Sequence, residues 1–137
     1  MDFIFERKIN YYETDRMGIV HHSNYIRFME EARTAFLNEY ELPYNLLEES
    51  GIIIPTINVN CTYKNHVTFG DTISIKTYLK NFNGIRLMCG YTGIDKDNNT
   101  VFTAESSHCF TNSNLKPINL KKVNLDIFNK FEKLIEE

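Results

Sequence analysis

The sequence has 137 residues, of which 42% are hydrophobic and 24% charged, a composition that fits one globular domain over residues 1–137. Its net charge of −3 argues against nucleic-acid binding, because such proteins usually carry an excess of basic residues. No apolar run approaches the ~20 residues that cross a membrane, no signal-peptide pattern begins the chain, and no cysteine has zinc-ligand spacing, so we expect a cytoplasmic protein without membrane insertion.

The beginning of the chain predicts a strand followed by a long helix. Residues 3–9 alternate between apolar and polar side chains, which is typical of a half-buried strand. Over residues 24–38, apolar side chains recur at steps of three and four residues, as on the buried face of an amphipathic helix. Ser23 or Asn24 is placed to cap the start of this helix.

Charged residues on the other side of this helix have the spacing of surface ion pairs. Arg27 and Glu31 are four residues apart, and Glu30 and Arg33 are three apart. Such pairs give a helix modest support. We expect both pairs to face solvent.

A short helix is expected after Pro43, and the pattern then changes to strands. Four segments alternate with period two between turn signals: residues 57–63, 73–79, 85–91 and 102–110. Gly90 indicates either a bulge or the close approach of a bulky group. A final amphipathic helix opens at Asn124. This order predicts an α+β fold, in which a long central helix packs against a curved antiparallel sheet.

The loop between the first strand and the long helix concentrates reactive side chains in "YYETDRMGIVHHSNY", residues 11–25. Asp15 can attack a carbonyl or deprotonate water, and Gly18 lets the backbone approach a ligand closely. The helix start offers N–H groups and the positive end of the helix dipole, which polarise a carbonyl and stabilise an oxyanion. His22 can hydrogen-bond the substrate or the carboxylate. The loop therefore favours acyl-transfer chemistry.

Two other interpretations of this loop remain open from the residues alone. Asp15 has the position of a turn or cap residue, and adjacent histidines are commonly half-exposed polar residues. A metal site built from Asp15, His21, His22 and Glu30 is conceivable, although these residues have no recognised ligand spacing.

The same segment resembles the 4-hydroxybenzoyl-CoA thioesterase family of hotdog-fold proteins. The resemblance rests on "YYETDRMGIVHHSNYIRFMEEARTAFL" (11–37) and continues through "VNCTYKNHVTFGDTISIKT" (59–77) and "FTAESSHCFTNSNLKP" (102–117), so it covers nearly the whole chain. Within the family, the chain is most similar to the branch that contains the Tol–Pal-associated acyl-CoA thioesterase. The resemblance implies a hotdog fold.

The resemblance also implies roles for particular residues. Asp15 matches the catalytic carboxylate of the family, and Tyr11 and His22 match the residues that flank it. Contacts with the substrate are expected from Gly18, His21, Ser23 and Asn24. A helix signature with an expected structural role is matched by Glu30, Ala32 and Arg33.

The activity implied is that of an acyl-CoA thioesterase, which releases a free acid and CoA and needs no cofactor besides the CoA of its substrate. The implied assembly is a homodimer or homotetramer with sites at the subunit interface, which would also cover an open sheet edge. Asn58, Asn60 and Thr62 are expected at the interface or on a solvated face. The alternatives are an acyl-carrier-protein thioesterase, a hotdog dehydratase or hydratase, and a non-catalytic acyl-CoA-binding domain.

Overall fold

The secondary structure follows the predicted order of strands and helices. The computed structural model describes residues 3–135. Its strands are β1 (Phe3–Lys8), β2 (Thr56–Tyr63), β3 (Thr72–Phe82), β4 (Arg86–Ile94) and β5 (Thr100–Cys109). Its helices are α1 (Ser23–Glu39), α2 (Tyr44–Glu49), α3 (Leu120–Val123) and α4 (Leu125–Glu132), and a 3₁₀ turn covers Tyr11–Glu13.

The five strands form one antiparallel sheet in the order β1-β3-β4-β5-β2. Tight turns join β3 to β4 and β4 to β5, as the turn signals predict. β1 precedes α1 in the chain and β2 follows it, yet they become opposite edges, because β1 pairs with β3 and β2 pairs with β5. The outer edge of β2 has no strand partner among residues 3–135.

Helix α1 lies against the inner face of the sheet and forms the centre of the core. Six of its side chains are no more than 4% exposed: Tyr25, Phe28, Met29, Ala32, Phe36 and Leu37. On the facing strand β3, every second residue from Ile73 to Leu79 is buried. Burying one large apolar side chain contributes about 1.5–3 kcal/mol, so this contact contributes strongly to the stability of the fold. The arrangement confirms the predicted α+β class with a central helix.

The helix caps agree only partly with prediction. His22, rather than Ser23 or Asn24, occupies the N-cap position of α1, and no side chain caps that helix. Asn24 instead lies buried in the first turn. Asn124 caps α4 as predicted, because its Oδ1 accepts a hydrogen bond from the Ile127 amide at 3.1 Å.

The predicted surface ion pairs of α1 are wrong. Glu31 pairs with Arg7 of β1 instead of Arg27, with 2.9 Å between Arg7 Nε and Glu31 Oε1. Arg33 turns into the protein and hydrogen-bonds two tyrosines instead of pairing with Glu30. In both cases, packing against the sheet overrides the local spacing along the helix.

Gly90 leaves room for an aromatic ring in the middle of the sheet. The Tyr78 ring crosses it so closely that a Cβ at Gly90 would lie 2.4 Å from the ring. The register is regular here, with Tyr78 directly opposite Gly90, and the irregularity between β3 and β4 lies at Leu79 and Asn81. Close approach is therefore the correct explanation for this glycine, and a bulge at Gly90 is wrong.

Candidate active site

The loop between β1 and α1 closes on itself as a small hairpin. Thr14 and Val20 form a β-bridge at its base, and the Asp15 amide donates to the Ile19 carbonyl at 2.8 Å. At the exposed tip, Gly18 has a φ of +84°, a conformation that side chains rarely adopt. Asp15 is thereby held immediately beyond the base of the hairpin.

A partly buried cluster of charges anchors this loop. Glu13 is 4% exposed and pairs with Arg7 of β1, which also pairs with Glu31 of α1. The Arg7 guanidinium lies 4.4 Å from the centre of the Phe28 ring. Burial lowers the pKa of Arg7, but the hydrogen bonds and charges of Glu31 and Glu13 outweigh that effect and raise it. The loop is therefore fixed to both the strand and the helix.

Sequence reasoning missed Arg7 and Glu13, although two signals point to them. Asn10 and Glu13 have the spacing of a capping box, and the Asn10 amide donates to Glu13 Oε1 at 2.8 Å. Arg7 falls on the same side of β1 as the apolar residues Phe3 and Phe5. A charge on the buried side of a strand requires a partner of opposite charge.

The start of α1 brings two histidines together. The His21 and His22 rings stack with 4.2 Å between their centres. The Ser23 amide and hydroxyl lie 3.3 and 2.9 Å from His21 Nδ1, so this nitrogen accepts and a neutral His21 carries its proton on Nε2. The His22 ring packs edge-on against Tyr63 of β2, with 6.2 Å between centres. Both histidines are exposed at the positive end of the helix.

One backbone N–H at this helix start is unpaired. The Asn24 and Tyr25 amides donate to the carbonyls of His21 and His22 at 3.0 and 3.3 Å. The His22 amide donates to no atom of residues 3–135. Together with the helix dipole, a free N–H at this point is suited to bind an oxygen on which negative charge develops.

Asp15 is the acidic group of the loop. It is half-exposed, and its Oδ1 accepts from the Met17 amide at 2.8 Å, whereas its Oδ2 has no hydrogen bond within the described part of the chain. The loop base that carries Asp15 is tied to the helix start, because the His21 amide donates to the Glu13 carbonyl at 2.9 Å. Asp15 and the two histidines therefore belong to one anchored segment.

Three predicted site residues contact neighbouring parts of the fold. The Tyr11 ring is 75% exposed and packs edge-on against Phe69, with 5.6 Å between centres, and no contact among residues 3–135 joins it to Asp15 or His22. The Gly18 carbonyl accepts from the Thr68 hydroxyl at 2.6 Å. Asn24 Nδ2 donates to the Glu13 carbonyl at 2.9 Å, so this side chain fastens the loop to α1.

An incompletely covered strip of β2 borders the helix start. Two inward-facing side chains of this strip, Val59 and Cys61, are partly exposed, and a third, Tyr63, is 48% exposed. On α1, Ile26 and Arg33 fall on the same side of the helix as His22 by helical periodicity. Burial raises the pKa of the Cys61 thiol to about 11, so it is a neutral thiol near pH 7. The contact of His22 with Tyr63 brings this side of α1 next to the strip.

A chain of hydrogen bonds crosses the core from α1 to the start of β2. Arg33 Nη1 donates to the Tyr91 hydroxyl at 3.0 Å, and that oxygen lies 2.8 Å from Ser106 Oγ. Ser106 Oγ lies 2.7 Å from His108 Nε2, and His108 Nδ1 lies 3.3 Å from Thr56 Oγ1 at the start of β2. Burial, and secondarily the charge of Arg33, lower the pKa of His108 to about 4, so its ring is neutral near pH 7.

Neither a cluster of metal-ligating side chains nor a membrane-spanning helix is found among residues 3–135. Among residues 3–135, no three His, Cys, Asp or Glu side chains are grouped so that they could hold a metal ion. The interpretation of Asp15, His21, His22 and Glu30 as a metal site therefore finds no support. No helix in this range is long and apolar enough to cross a membrane.

The sequence pattern of the thioesterase-like superfamily matches residues 9–128. The chain belongs to this superfamily. Membership of the thioesterase-like superfamily confirms the predicted enzyme class, a hydrolase that acts on thioester bonds.

Relatives within the superfamily extend over most of the chain. The "Putative acyl-CoA thioesterase YneP" of Bacillus subtilis is 33% identical over 129 residues, which cover 93% of this chain and 94% of that protein. The 1,4-dihydroxy-2-naphthoyl-CoA hydrolase of Prochlorococcus marinus is 26% identical over 112 residues, which cover 77% and 74%. The solved DHNA-CoA thioesterase from Staphylococcus aureus superposes with a TM-score of 0.91 at 26% identity, covering 96% of this chain and 89% of its own. This likeness confirms the predicted hotdog fold.

Proposed function

We propose that this thioesterase hydrolyses an acyl-CoA thioester to a free acid and CoA, with Asp15 as the nucleophile or general base. The observation that carries the proposal is one anchored segment that holds both a carboxylate with a free oxygen and an unpaired amide at a helix start. The names of YneP and of the Staphylococcus aureus enzyme, which describe CoA thioesterases, support CoA as the thiol part of the substrate.

The reaction can follow two routes from the same geometry. In both, the thioester oxygen accepts a hydrogen bond from the His22 amide, and the α1 dipole stabilises the charge that develops on it. As a general base, Asp15 takes a proton from water, the water oxygen bonds to the carbonyl carbon, and the C–S bond breaks to release CoA. As a nucleophile, Asp15 itself bonds to that carbon and displaces the CoA thiolate, and water then cleaves the anhydride. Neither route uses a metal or redox cofactor.

The side chains around the helix start would orient the thioester. The exposed His22 ring can hydrogen-bond the substrate or the Asp15 carboxylate. His21 and Ser23 hold each other in place beside it, and the bare backbone at Gly18 would let the substrate pass close to the loop. The role predicted for Tyr11 requires its ring to leave Phe69 and turn towards Asp15.

We also propose that two copies join through the open edge of β2, as a homodimer that can pair again into a tetramer. Antiparallel pairing of two β2 strands would satisfy the unpaired backbone groups of this edge. It would also cover Ile57 and Tyr63, which are 47% and 48% exposed. The polar residues expected at the interface are all exposed on this strand: Asn58, Asn60 and Thr62.

Within the superfamily, we assign the chain to the 4-hydroxybenzoyl-CoA thioesterase family and its Tol–Pal-associated branch. The support for this assignment is the motif in residues 11–37, which supplies the loop, the helix start and nearly all of α1. A panel of acyl-CoAs with short, long and aromatic acyl groups tests it, because these groups separate the substrate preferences within the family.

The catalytic proposal is tested by comparing Asp15→Asn with the matched control Asp95→Asn. Both carboxylates accept a hydrogen bond from the amide two residues later, at 2.8 and 2.9 Å, but Asp95 lies after β4. We expect Asp15→Asn to lower turnover by about 10²–10⁴-fold and the control to have wild-type turnover. The melting temperature should change little, since a carboxylate near a helix start contributes about 0.3–1 kcal/mol. A folded Asp15→Asn variant with wild-type turnover would exclude Asp15 and direct attention to Glu30.

A further inference from the structure

Arg7, which contacts α1 from β1, and Arg33, which lies on α1, differ in their counter-ions. Arg7 is held between the carboxylates of Glu13 and Glu31. Arg33 has no carboxylate within ion-pair distance among residues 3–135, and its Nε and Nη1 donate to the hydroxyls of Tyr44 and Tyr91 at 3.2 and 3.0 Å. Charged side chains are rarely buried without a partner of opposite charge. Arg33 therefore lacks the carboxylate counter-ion that Arg7 has.

Some N–H groups of the Arg33 guanidinium have no hydrogen-bond acceptor within the described part of the chain. Of its five N–H groups, two are used by Tyr44 and Tyr91, and Nη2 has no acceptor within the described part of the chain. The hydroxyl of Tyr91 is itself fixed by Ser106, and Ser106 by His108. These neutral groups hold the guanidinium in place without compensating its charge.

Arg33 also lies where the far end of a bound acyl group would be. By helical periodicity it is on the same side of α1 as His22, and it stands ten residues after Ser23. Ten residues of α-helix span roughly 15 Å, and helical side chains lean towards the N-terminus of the helix. The free donors therefore lie on the order of 10 Å from the helix start, a distance that roughly six to ten bonds of an extended chain cover.

We propose that Arg33 binds an oxygen at the far end of the acyl group, so that the preferred substrates are acyl-CoAs that end in a carboxylate or hydroxyl. The inference rests on the proposed function, because it requires the thioester to lie at the start of α1. The apolar side chains of Ile26 and Val59 would contact the middle of the acyl group. Hydrogen bonds from a charged donor are about twice as strong as neutral ones, which suits Arg33 for discriminating between acyl ends.

The test uses acyl-CoAs of equal length that differ at the far end: octanoyl-CoA, 8-hydroxyoctanoyl-CoA and suberyl-CoA. We expect the wild-type enzyme to show a kcat/KM for the two oxygen-bearing substrates that is about 10- to 100-fold higher than for octanoyl-CoA, the range of a hydrogen bond to a charged group. Arg33→Met, which keeps the apolar stem, should bring this ratio close to one. Arg27→Met, an exposed position on the same helix, should keep the wild-type ratio.

Two results would overturn the proposal. One is a wild-type enzyme that does not distinguish octanoyl-CoA from suberyl-CoA. The other is a folded Arg33→Met variant with an unchanged ratio; if that variant is also a monomer, the acceptor of Arg33 is a carboxylate of a second copy. Should Arg33→Met fail to fold, Arg33→Lys keeps the charge without the planar fork and should lower the ratio.

Failure of the proposed function has a separate signature. If wild-type protein hydrolyses none of these thioesters, calorimetric titration of suberyl-CoA and octanoyl-CoA into wild-type and Arg33→Met protein still tests whether Arg33 binds the far end of the acyl group. Tighter binding of suberyl-CoA that depends on Arg33 would support the assignment of Arg33 while overturning the hydrolytic function. Equal binding of both ligands would overturn the assignment itself.

Discussion

His22 contributes two separate groups to the proposed site, and one substitution distinguishes them. Its backbone amide is unpaired, whereas its ring is exposed against His21 and Tyr63. Because His22→Ala keeps the amide, the variant isolates the contribution of the ring. Any loss of turnover then measures hydrogen bonding by the ring to the substrate or to Asp15.

We expect His22→Ala to lower turnover about 10- to 100-fold, the range of a hydrogen bond to a charged group. Its melting temperature should stay close to wild type, since loss of an exposed ring leaves no core cavity. Parallel assays and melting curves of His66→Ala, an exposed histidine after β2, provide the control. Early melting of His22→Ala with full turnover in the folded fraction would make the ring structural.

Sequence alone predicted Asp15 in a loop and His22 at the start of a helix, because both positions follow from local patterns. Its assignment of the catalytic and binding roles stays a prediction. It could not place Arg33, because the partner of that side chain is set by packing rather than by spacing. The i,i+3 pattern with Glu30 is outweighed by a hydrogen bond to Tyr91, 58 residues further along the chain.

Helix α1 and the sheet are joined by the hydrogen bonds that run from Arg33 to His108. Through His108, they make the stability of the folded protein depend on pH. His108 has a pKa of about 4 in the folded protein, below its ordinary value of 6.5. Between these values the unfolded chain binds a proton that the folded protein excludes. Stability from this group is therefore fully present above pH 6.5 and decreases as the pH falls towards 4, by about 3 kcal/mol at most.

We expect the melting temperature of wild-type protein to fall more steeply between pH 7 and pH 4.5 than that of His108→Gln. The amide of glutamine can hydrogen-bond Ser106 but does not take up a proton in this range. Calorimetric scans at several pH values measure the two slopes, and the carboxylates that titrate in the same range are common to both proteins. Parallel slopes would show that His108 does not control this dependence.

Periodicity predicted the order of the strands and helices, but their ends and neighbours depend on tertiary contacts. β3 continues to Phe82 and β4 to Ile94, beyond the segments predicted from alternation, because each strand pairs for as long as its neighbour continues. Helix α3 has four residues, too few to show a helical period. The pairing of β1 with β3 joins residues that are 64 to 74 positions apart in the chain, such as Lys8 with Thr72 and Phe3 with Thr77, and no local pattern contains it.

For the molecule as a whole, the open edge of β2 predicts self-association. We expect analytical ultracentrifugation to show a dimer or tetramer of wild-type protein. Ile57→Lys should shift it towards a monomer with reduced turnover, because a charge on an edge strand opposes strand pairing. Leu115→Lys, at an apolar position 64% exposed outside the sheet, is the control. A wild-type protein that is a stable and active monomer would contradict the proposed assembly.

The pairing of β2 with β5 also bears on the synthesis of the chain. The start of β2 faces His108, 52 residues after Thr56, so β2 leaves the ribosome well before its partner exists. At a translation rate of about 5–20 residues per second, the delay is roughly 3–10 s. During this interval both edges of β2 are unpaired and its apolar side chains are accessible to other nascent chains. Slow codons between β2 and β5 would prolong that exposure. A transcript truncated before Thr100 would yield a chain without β5, in which β2 has no strand to pair with.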